Sequence, residues 1–191
     1  MKMPSGREKF QRYKVLIRGL RRILSLFPTP MVSVVLLPFR SLRGPVGSLA
    51  RYLVWSRRLG SLGEAVALAP GIVIKSPQNM AIGDRCSIHE FCYIDAMGGI
   101  RIGDDVAIAH NCSILSTNHA WDDPEVPIKY NAVKTAPVEI GNDVWIGCGV
   151  RILAGTKINE RVVIAAGAVV RGELDSGFVY GGIPARKLKP L

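Results

Sequence analysis

An apolar residue returns at every sixth position through most of this chain. An amphipathic helix repeats every 3.6 residues and an exposed strand every two, so neither explains a period of six. A fixed longer period is typical of proteins in which each repeat packs against the next. The members of the series are Leu62, Leu68, Ile74, Ile82, Ile88, Ile94, Ile102, Ile108, Ile114, Ile140, Ile146, Ile152, Ile158, Ile164 and Val170.

The spacing of the series predicts a parallel β-helix with three short faces per coil. Equivalent positions lie twenty residues apart at first, as in Leu62, Ile82 and Ile102, and eighteen apart from Ile140 onward. Gly or another small residue follows most of them, as expected if each corner needs an unhindered or a left-handed backbone. Six coils at about 4.8 Å each would form a prism roughly 25–30 Å tall with an apolar interior.

Residues 115–139 interrupt the repeat. They are rich in polar residues and proline and have no repeat of their own, which predicts an external loop. Long loops in compact domains are usually functional or disordered. We therefore divide the chain into a basic arm (1–60), a β-helix domain that carries the loop (61–178) and a basic tail (179–191).

The basic character of the chain belongs to the arm. The whole chain has 25 Lys and Arg, 15 Asp and Glu and a net charge of +10. Thirteen of the basic residues but a single acid, Glu8, lie in residues 1–60. This asymmetry predicts an anionic surface beside the arm and argues against nucleic acid bound along the chain.

Residues 8–27 have the pattern of a basic amphipathic helix. Its apolar face holds Phe10, Tyr13, Ile17, Leu20, Ile23, Leu24 and Phe27, and Arg12, Arg18, Arg21 and Arg22 lie on or beside the other face. Two interpretations are open and compatible. The helix packs on the end of the prism and covers its open edge, or it lies on an anionic membrane surface. The apolar run after it, residues 31–37, is too short to span a membrane.

The four cysteines form no metal-binding pattern. Cys86, Cys92 and Cys112 each stand four residues after a repeat isoleucine, in a slot for small inward side chains, and are predicted to be buried thiols. Nothing suggests disulfides, and the N-terminus lacks the layout of a signal peptide. A cytoplasmic location fits best, with peripheral contact at the inner face of the cell membrane through the arm.

Three stretches carry a resemblance to a known family: IGDDVAIAHNCSILSTNHAW, VEIGNDVWIGCGVRILAG and GGIPARKLK. Over about residues 70–190 the chain resembles the hexapeptide-repeat O-acetyltransferases, above all the branch of galactoside, maltose and bacterial polysaccharide acetyltransferases. The resemblance implies a left-handed coil, a homotrimer with active sites between neighbouring prisms, and acetyl-CoA as co-substrate without a metal.

His119 matches the catalytic histidine of that family. A sugar hydroxyl is a poor nucleophile near neutral pH, so a base must take its proton as it attacks the thioester. By the same resemblance Trp145 lines the site near the thioester. His89 stands where the galactoside enzymes have an Asn that helps hold the acceptor, and Met97 replaces their acidic acceptor-binding residue, so both positions depart from the family pattern.

Six further positions match residues that contact acetyl-CoA in the family. They are Cys148, Ala166, Arg171, Gly172, Arg186 and Lys189. Most would touch the pantetheine through small side chains and backbone, and the three basic residues could pair with the phosphates. Because the family transfers the acetyl group directly, Cys148 is assigned a lining role and not that of a nucleophile.

The leading hypothesis is an acetyl-CoA-dependent O-acetyltransferase. Its acceptor would be a sugar hydroxyl in a bacterial surface polysaccharide or in its lipid-linked precursor. The alternatives are an N-acetyltransferase acting on an amino sugar, a carbonic-anhydrase-like metalloenzyme using His89, His110 and His119, and a non-catalytic β-helix scaffold. The histidine spacing does not resemble that of the metalloenzymes, and a scaffold has little reason to combine the His loop, the Trp corner and the basic tail.

Overall fold

The structure, a computed structural model, describes residues 6–39 and 41–191, with side chains from residue 12 onward. Three α-helices come first: α1 (Gly6–Leu24), α2 (Thr29–Val35) and α3 (Gly44–Trp55), with a 3₁₀ turn over Leu37–Phe39. From residue 61 the chain forms short parallel strands stacked in a β-helix of about six coils. The predicted fold, mainly β with a partly helical arm, is confirmed.

Three sheets form the faces of the prism. The first face contains Ser61–Leu62, Met80–Ile82, Ile100–Ile102, Val138–Ile140, Lys157–Ile158 and Glu173–Leu174. The second contains Ala67–Leu68, Ser87–Ile88, Ala107–Ile108, Val144–Ile146, Val162–Ile164 and Phe178–Gly181, followed by the antiparallel strand Arg186–Pro190. The third contains Val73–Lys75, Tyr93–Asp95, Ser113–Leu115, Arg151–Ile152 and Val169–Val170. A 3₁₀ turn, Pro77–Asn79, links the first coil to the second.

The register of the strands follows the repeat. Ile82 pairs with Ile102, Ile102 with Ile140, and Ile140 with Ile158. The coil therefore tightens after Ile140, as the sequence predicts. The last coil is shorter still, since Ile158 pairs with Leu174.

The apolar columns fill the interior of the prism. On the second face Ile88, Ile108, Ile146 and Ile164 stack in consecutive coils, each no more than 1% exposed. Cys86, Cys92 and Cys112 are buried free thiols, as predicted from their slot. Burial raises the pKa of the Cys86 thiol to about 11, so this group stays protonated near neutral pH.

The small residues after the repeat positions meet a need for space. A Cβ on Gly147 would lie 2.6 Å from the backbone nitrogen of Ala166 in the next coil, closer than any side chain can approach. In most corners the left-handed backbone falls two residues later, for example at Arg85, Asp105 and Asn111, where φ is 58°. Of the two reasons that the sequence offers for these small residues, only the steric one applies.

Helix α3 closes the first end of the prism. Its Tyr52, Leu53 and Trp55 belong to the same buried cluster as the coils. The Arg51 guanidinium is also buried there and donates hydrogen bonds to the carbonyl oxygens of Leu68 and Leu42. The apolar pattern of residues 44–55 predicts no amphipathic helix, so α3 is a finding of the structure.

Helix α1 also packs on this end. Ile17, Leu20 and Leu24 are partly buried against the core, so the interpretation of α1 as an end cap is confirmed. Tyr13 and Ile23, predicted on the same apolar face, remain 52% and 56% exposed. Phe10 and Arg40 of the predicted arm lie outside the described side chains.

Ion pairs fix α1 to the first coil. Glu64 accepts a hydrogen bond from Arg18 Nε at 2.6 Å, and Lys14 Nζ lies 2.9 Å from its other oxygen. These two cations hold the pKa of Glu64 below its ordinary value. Arg21 donates a hydrogen bond to the carbonyl of Leu62 at 3.2 Å.

Ile146→Ala should lower the free energy of unfolding by about 2–5 kcal/mol, because it opens a cavity between two tightly stacked neighbours. Urea unfolding followed by circular dichroism measures the loss. Val73→Ala is the matched control, since Val73 is 50% exposed on the third face, and it should cost less than about 0.5 kcal/mol. Equal losses in the two variants would contradict the stacked core.

Acid should loosen helix α1. Because the folded-state pKa of Glu64 is lowered, its stabilisation is present above the unfolded value of about 4.3 and is lost as pH falls through the folded value. The ion pairing of Glu64 contributes roughly 0.2–1 kcal/mol to the stability of this contact, since the groups are partly exposed. The protection of α1 against hydrogen exchange, taken relative to the intrinsic rate at each pH, should therefore fall below about pH 4.3 in the native protein. Glu64→Gln should show the faster exchange already at neutral pH, and an unchanged rate there would refute the proposed role of the cluster.

Candidate active site

The interruption of the repeat forms a hairpin that leaves the prism at the corner between the third and first faces. Strands Thr117–His119 and Val133–Thr135 pair in antiparallel register. At its base the Ser116 hydroxyl donates to the Asp95 carbonyl at 2.6 Å, and Ala136 N donates to the Ser116 carbonyl at 3.0 Å. The segment predicted as an external loop thus begins and ends in ordered structure.

The tip of the hairpin is folded around Asn131. This side chain is 9% exposed, donates to the Val126 carbonyl at 2.8 Å and accepts from the Asp123 backbone nitrogen at 3.1 Å. A 3₁₀ turn over Ile128–Tyr130 precedes it. The buried amide replaces the backbone pairing that a long loop otherwise lacks, a role that the polar composition of the segment did not reveal.

His119 is exposed at the mouth of a cavity of about 240 Å³. The lining residues are Asn118, His119, Ala120, Trp121, Asp122 and Lys134. Lys134 Nζ lies 2.6 Å from Asp122 Oδ2, and this cation lowers the pKa of the Asp122 carboxyl. Trp121 is 66% exposed beside the imidazole. An exposed imidazole next to an aromatic surface can take a proton from a hydroxyl of a bound sugar.

Trp121 and the Asp122–Lys134 pair were missed by the sequence analysis. The available signal was an aromatic residue directly downstream of His119 in a segment that is otherwise polar.

Cys148 and Ala166 lie together at the corner between the second and third faces. They occupy equivalent positions in consecutive coils, and Gly167 N donates to the Cys148 carbonyl at 2.8 Å. His110 occupies the equivalent position one coil earlier, since Ile108 pairs with Ile146. Arg186 pairs with Gly181, next to this column of corner residues.

Trp145 and Lys189 lie in one row across the second face. Trp145 pairs with Val163, Val163 with Val179, and Val179 with Lys189. Trp145 is 56% exposed. Three strand spacings of about 4.8 Å place the two backbones roughly 14 Å apart.

A β-bulge at Leu188 brings Arg186 and Lys189 to the same side of the sheet. Gly181 pairs with Arg186 and Val179 with Lys189, so one extra residue separates the two basic residues on the bulged strand. In a regular strand, residues three apart point to opposite sides. The remaining cation, Lys187, is directed elsewhere: its Nζ lies 2.8 Å from Asp175 Oδ2 and 3.9 Å from the centroid of the Phe178 ring.

Three predicted site residues lie apart from these groups. Arg171 and Gly172 are exposed at the corner between the third and first faces, after strand Val169–Val170. His89 is exposed at the corner between the second and third faces, in an earlier coil than Cys148, and its Nδ1 lies 3.9 Å from a Glu90 oxygen.

The His119 cavity and the Cys148 corner are separate within one chain. The hairpin starts at one corner of the third face and Cys148 lies at the other, so about six residues of extended chain, roughly 20 Å, separate them. None of the six residues assigned to the coenzyme lines the described His119 cavity.

A larger concavity, about 740 Å³ along the first face, contains no predicted site residue. Within its lining, Arg101 Nη1 lies 3.6 Å from Glu139 Oε1. Among the side chains that the structure describes, no group of three His, Cys, Asp or Glu is arranged to hold a metal ion.

Comparison with known proteins points to one family. The family described as bacterial transferase hexapeptide (six repeats) matches residues 137–172. The chain is 36% identical to a probable acetyltransferase of Mycobacterium tuberculosis over 111 residues, 58% of this chain and 37% of that protein. It is 31% identical to a putative lipopolysaccharide biosynthesis O-acetyl transferase of Escherichia coli over 113 residues, 56% of this chain and 58% of that protein. The chain thus matches less than two thirds of the length of these two relatives.

A third relative is matched over more of its length. This putative acetyltransferase of Saccharomyces cerevisiae is 33% identical over 135 residues, 70% of this chain and 67% of that protein.

Solved structures point to the same family. A maltose O-acetyltransferase from Clostridium difficile superposes with a TM-score of 0.75 at 27% identity, over 85% of this chain and 86% of that chain. A hexapeptide-repeat acetyltransferase from Vibrio cholerae, complexed with acetyl coenzyme A, superposes with a TM-score of 0.73 at 26% identity and the same coverage. The hexapeptide period, the three-faced β-helix and these similarities together show that the chain belongs to the family of hexapeptide-repeat acetyltransferases.

Proposed function

We propose that the protein is an O-acetyltransferase that moves the acetyl group of acetyl-CoA to a sugar hydroxyl, in a bacterial surface polysaccharide or its precursor. The observation that carries this proposal is His119, presented in an open cavity on a hairpin that interrupts the prism. The V. cholerae relative complexed with acetyl coenzyme A supports the donor. The E. coli relative named for lipopolysaccharide biosynthesis supports the class of acceptor.

In the proposed reaction His119 acts as general base. The imidazole takes the hydroxyl proton while the hydroxyl oxygen attacks the thioester carbonyl. When the resulting tetrahedral intermediate collapses, the carbon–sulfur bond breaks, and the imidazolium returns the proton to the departing thiolate. An ester and free coenzyme A are the products. Trp121 would offer its ring to the sugar beside the base.

The coenzyme would lie along the corner between the second and third faces. Cys148 and Ala166 offer small side chains and backbone there for the pantetheine, and Trp145 lies on the adjacent face. Arg186 and Lys189, brought to one side by the bulge, would pair with the phosphates. Arg171 and Gly172 lie at another corner, so they would contact this coenzyme only from a neighbouring subunit.

A homotrimer is the second part of the proposal. The His119 cavity and the Cys148 corner lie at different corners of the same prism, so one chain does not bring a base and a coenzyme together. Three prisms packed side by side would set the hairpin of one subunit against the coenzyme corner of the next. Because acetyl-CoA is a cytoplasmic metabolite, the same proposal places the enzyme in the cytoplasm.

No observation in the described residues favours a metalloenzyme or a scaffold over this proposal. An amino-sugar acceptor would use the same base, so the acceptor screen should include amino sugars together with neutral hexoses and short glycans.

His119→Ala should lower kcat by about a hundred- to ten-thousand-fold, the usual contribution of a general base. The affinity for acetyl-CoA should stay within about threefold, since the proposed contacts to the pantetheine and the phosphates come from the Cys148 corner and the bulged strand and not from His119. Turnover is followed by release of the free thiol of coenzyme A, and affinity by isothermal titration calorimetry.

Lys129→Ala is the control, because Lys129 lies in the same hairpin outside the cavity, and it should leave kcat unchanged. Native turnover in His119→Ala would remove this residue from the mechanism. If the native protein does not bind acetyl-CoA, the proposed function itself fails.

Arg186→Gln combined with Lys189→Gln should raise KM for acetyl-CoA at least about tenfold with little change in kcat, because two charge-assisted contacts to phosphate are lost. With acetyl-pantetheine, which has no phosphates, the double variant and the native protein should have similar KM values. Lys187→Gln serves as the control, since Lys187 is paired with Asp175 on the other side of the strand. An equal defect with both donors would contradict the phosphate contacts.

A further inference from the structure

The arm carries most of the exposed apolar surface of the molecule. Of the 24 large hydrophobic side chains exposed in the described residues, 13 lie between residues 13 and 46. Single exposed apolar residues are ordinary on a soluble protein, but a concentration of them marks a contact surface. The inner side of the arm is already used against the prism, so this surface faces outward.

Helix α2 shows most clearly that the outward side of the arm is apolar. Its sequence, TPMVSVV, has no charged residue. Val32 is 3% exposed and packs inward, whereas Met31, Val34 and Val35 are 44%, 68% and 63% exposed. Positions i, i+3 and i+4 share one side of a helix. A helix that is apolar on both sides belongs in a buried or lipid environment. Here one of the two apolar sides is exposed to solvent.

Arginines bracket this uncharged segment. Residues 23–39 contain no charged residue, whereas Arg21 and Arg22 precede them and Arg40 and Arg43 follow in the sequence. Arg22 and Arg43 are exposed. Among the described side chains neither of them pairs with a carboxylate, and Glu64 of the first coil is already paired with Lys14 and Arg18. An apolar centre with a cationic rim is the arrangement that anionic lipid recognises.

Helix α1 extends the same surface. Leu16 and Ile23 share one flank of the helix, beside the side that packs on the prism, and are 59% and 56% exposed. Its apolar side is therefore wider than packing against the prism requires.

We infer that residues 22–46 dock on the surface of an anionic phospholipid bilayer. The outward side of α2 enters the boundary between headgroups and acyl chains, and Arg22 and Arg43 contact lipid phosphates. In a two-fold contact a second copy of the same surface is a poor occupant, because like charges would face each other and residues 22–46 contain no acid to offset them. A contact with a different surface of a neighbouring subunit is an outcome that the measurement of oligomeric mass below detects. No described helix is long and apolar enough to cross a membrane, so the contact is with one leaflet.

The docking would hold the candidate active site close to the bilayer. The helices cover the first coil, and the His119 hairpin leaves between the third and fourth coils, two to three strand spacings or roughly 10–15 Å further along the prism. If the proposed acetyl transfer is correct, a saccharide carried on a lipid in the same leaflet is the acceptor that this geometry suits.

Vesicle co-sedimentation of the full-length protein tests the docking without reference to activity. The protein should pellet with vesicles of phosphatidylcholine containing about 30% phosphatidylglycerol, weakly with phosphatidylcholine alone, and less as salt rises. The triple variant Met31→Gln, Val34→Gln, Val35→Gln should lower the partition coefficient at least about tenfold by removing the inserted side chains. Arg22→Gln with Arg43→Gln should reduce the preference for anionic vesicles and its salt dependence.

Val73→Gln with Met97→Gln is the matched control. Both residues are about half exposed on the prism and lie outside residues 22–46, and their replacement should leave pelleting unchanged. Deletion of residues 1–60 is unsuitable, because it would also remove Tyr52 and Trp55 from the core. If the triple variant loses its native thermal transition, Leu26→Gln with Leu37→Gln replaces it, since these side chains are 80% and 55% exposed.

Three results would overturn the inference. The first is native-like pelleting of a folded variant of the apolar surface. The second is equal pelleting on neutral and anionic vesicles. The third is a variant that changes the oligomeric mass on size-exclusion chromatography but not vesicle binding, which would assign the surface to a protein contact instead.

Discussion

The structure depends on hydrogen bonding between equivalent residues in successive coils. Most strands have only two or three residues, so no strand is stable alone, and each coil is held by the ones above and below it. Side chains continue this ladder at a corner. Glu64 N donates to Asp84 Oδ1, Asp84 N to Asp104 Oδ1, and Asp104 N to Asn142 Oδ1, at 2.7–2.8 Å. An end coil lacks one neighbour, which is why Tyr52 and the buried Arg51 of α3 close the prism there.

This stacking decides where functional groups can lie. Residues that point into the prism belong to the apolar columns and cannot change without opening a cavity. The chain can leave the prism only at a corner, where the hairpin departs after Ser116 and returns at Ala136. Outward side chains such as Trp145 and corner residues such as Cys148 are free to vary, because their backbones alone satisfy the ladder. The candidate site is accordingly made of corner residues, the outward row from Trp145 to Lys189, and the hairpin that carries His119.

The sequence predicted the parts that the period of six controls and missed those that it does not. Ile146 and Cys112 were assigned to the interior because their spacing alone places them there. Helix α3 was not predicted, because it is buried on nearly all sides from Ala50 to Trp55. It therefore has no 3.6-residue pattern of apolar and polar positions. The bulge at Leu188 shifts register by one residue, which no periodicity records. The hairpin of His119 depends on one buried amide, Asn131, that looks like any other polar loop residue.

Both ends of the prism need a cap, and the caps are the segments whose outward surfaces the repeat does not constrain. At the first end the inner sides of α1 and α3 complete the core, and nothing in the stacking requires the outward side of α2 to be apolar. At the last end strand Arg186–Pro190 covers the edge of the second face in antiparallel pairing. An edge strand is protected by charge, and Lys187, paired with Asp175, already contributes to that protection. Arg186 and Lys189 lie on the other side of the strand, where the bulge brings them together. Protection of the edge does not require this second pair of cations, which the strand holds in fixed register. The inferred lipid contact and the proposed phosphate contact therefore occupy opposite caps, each on the side that folding leaves free.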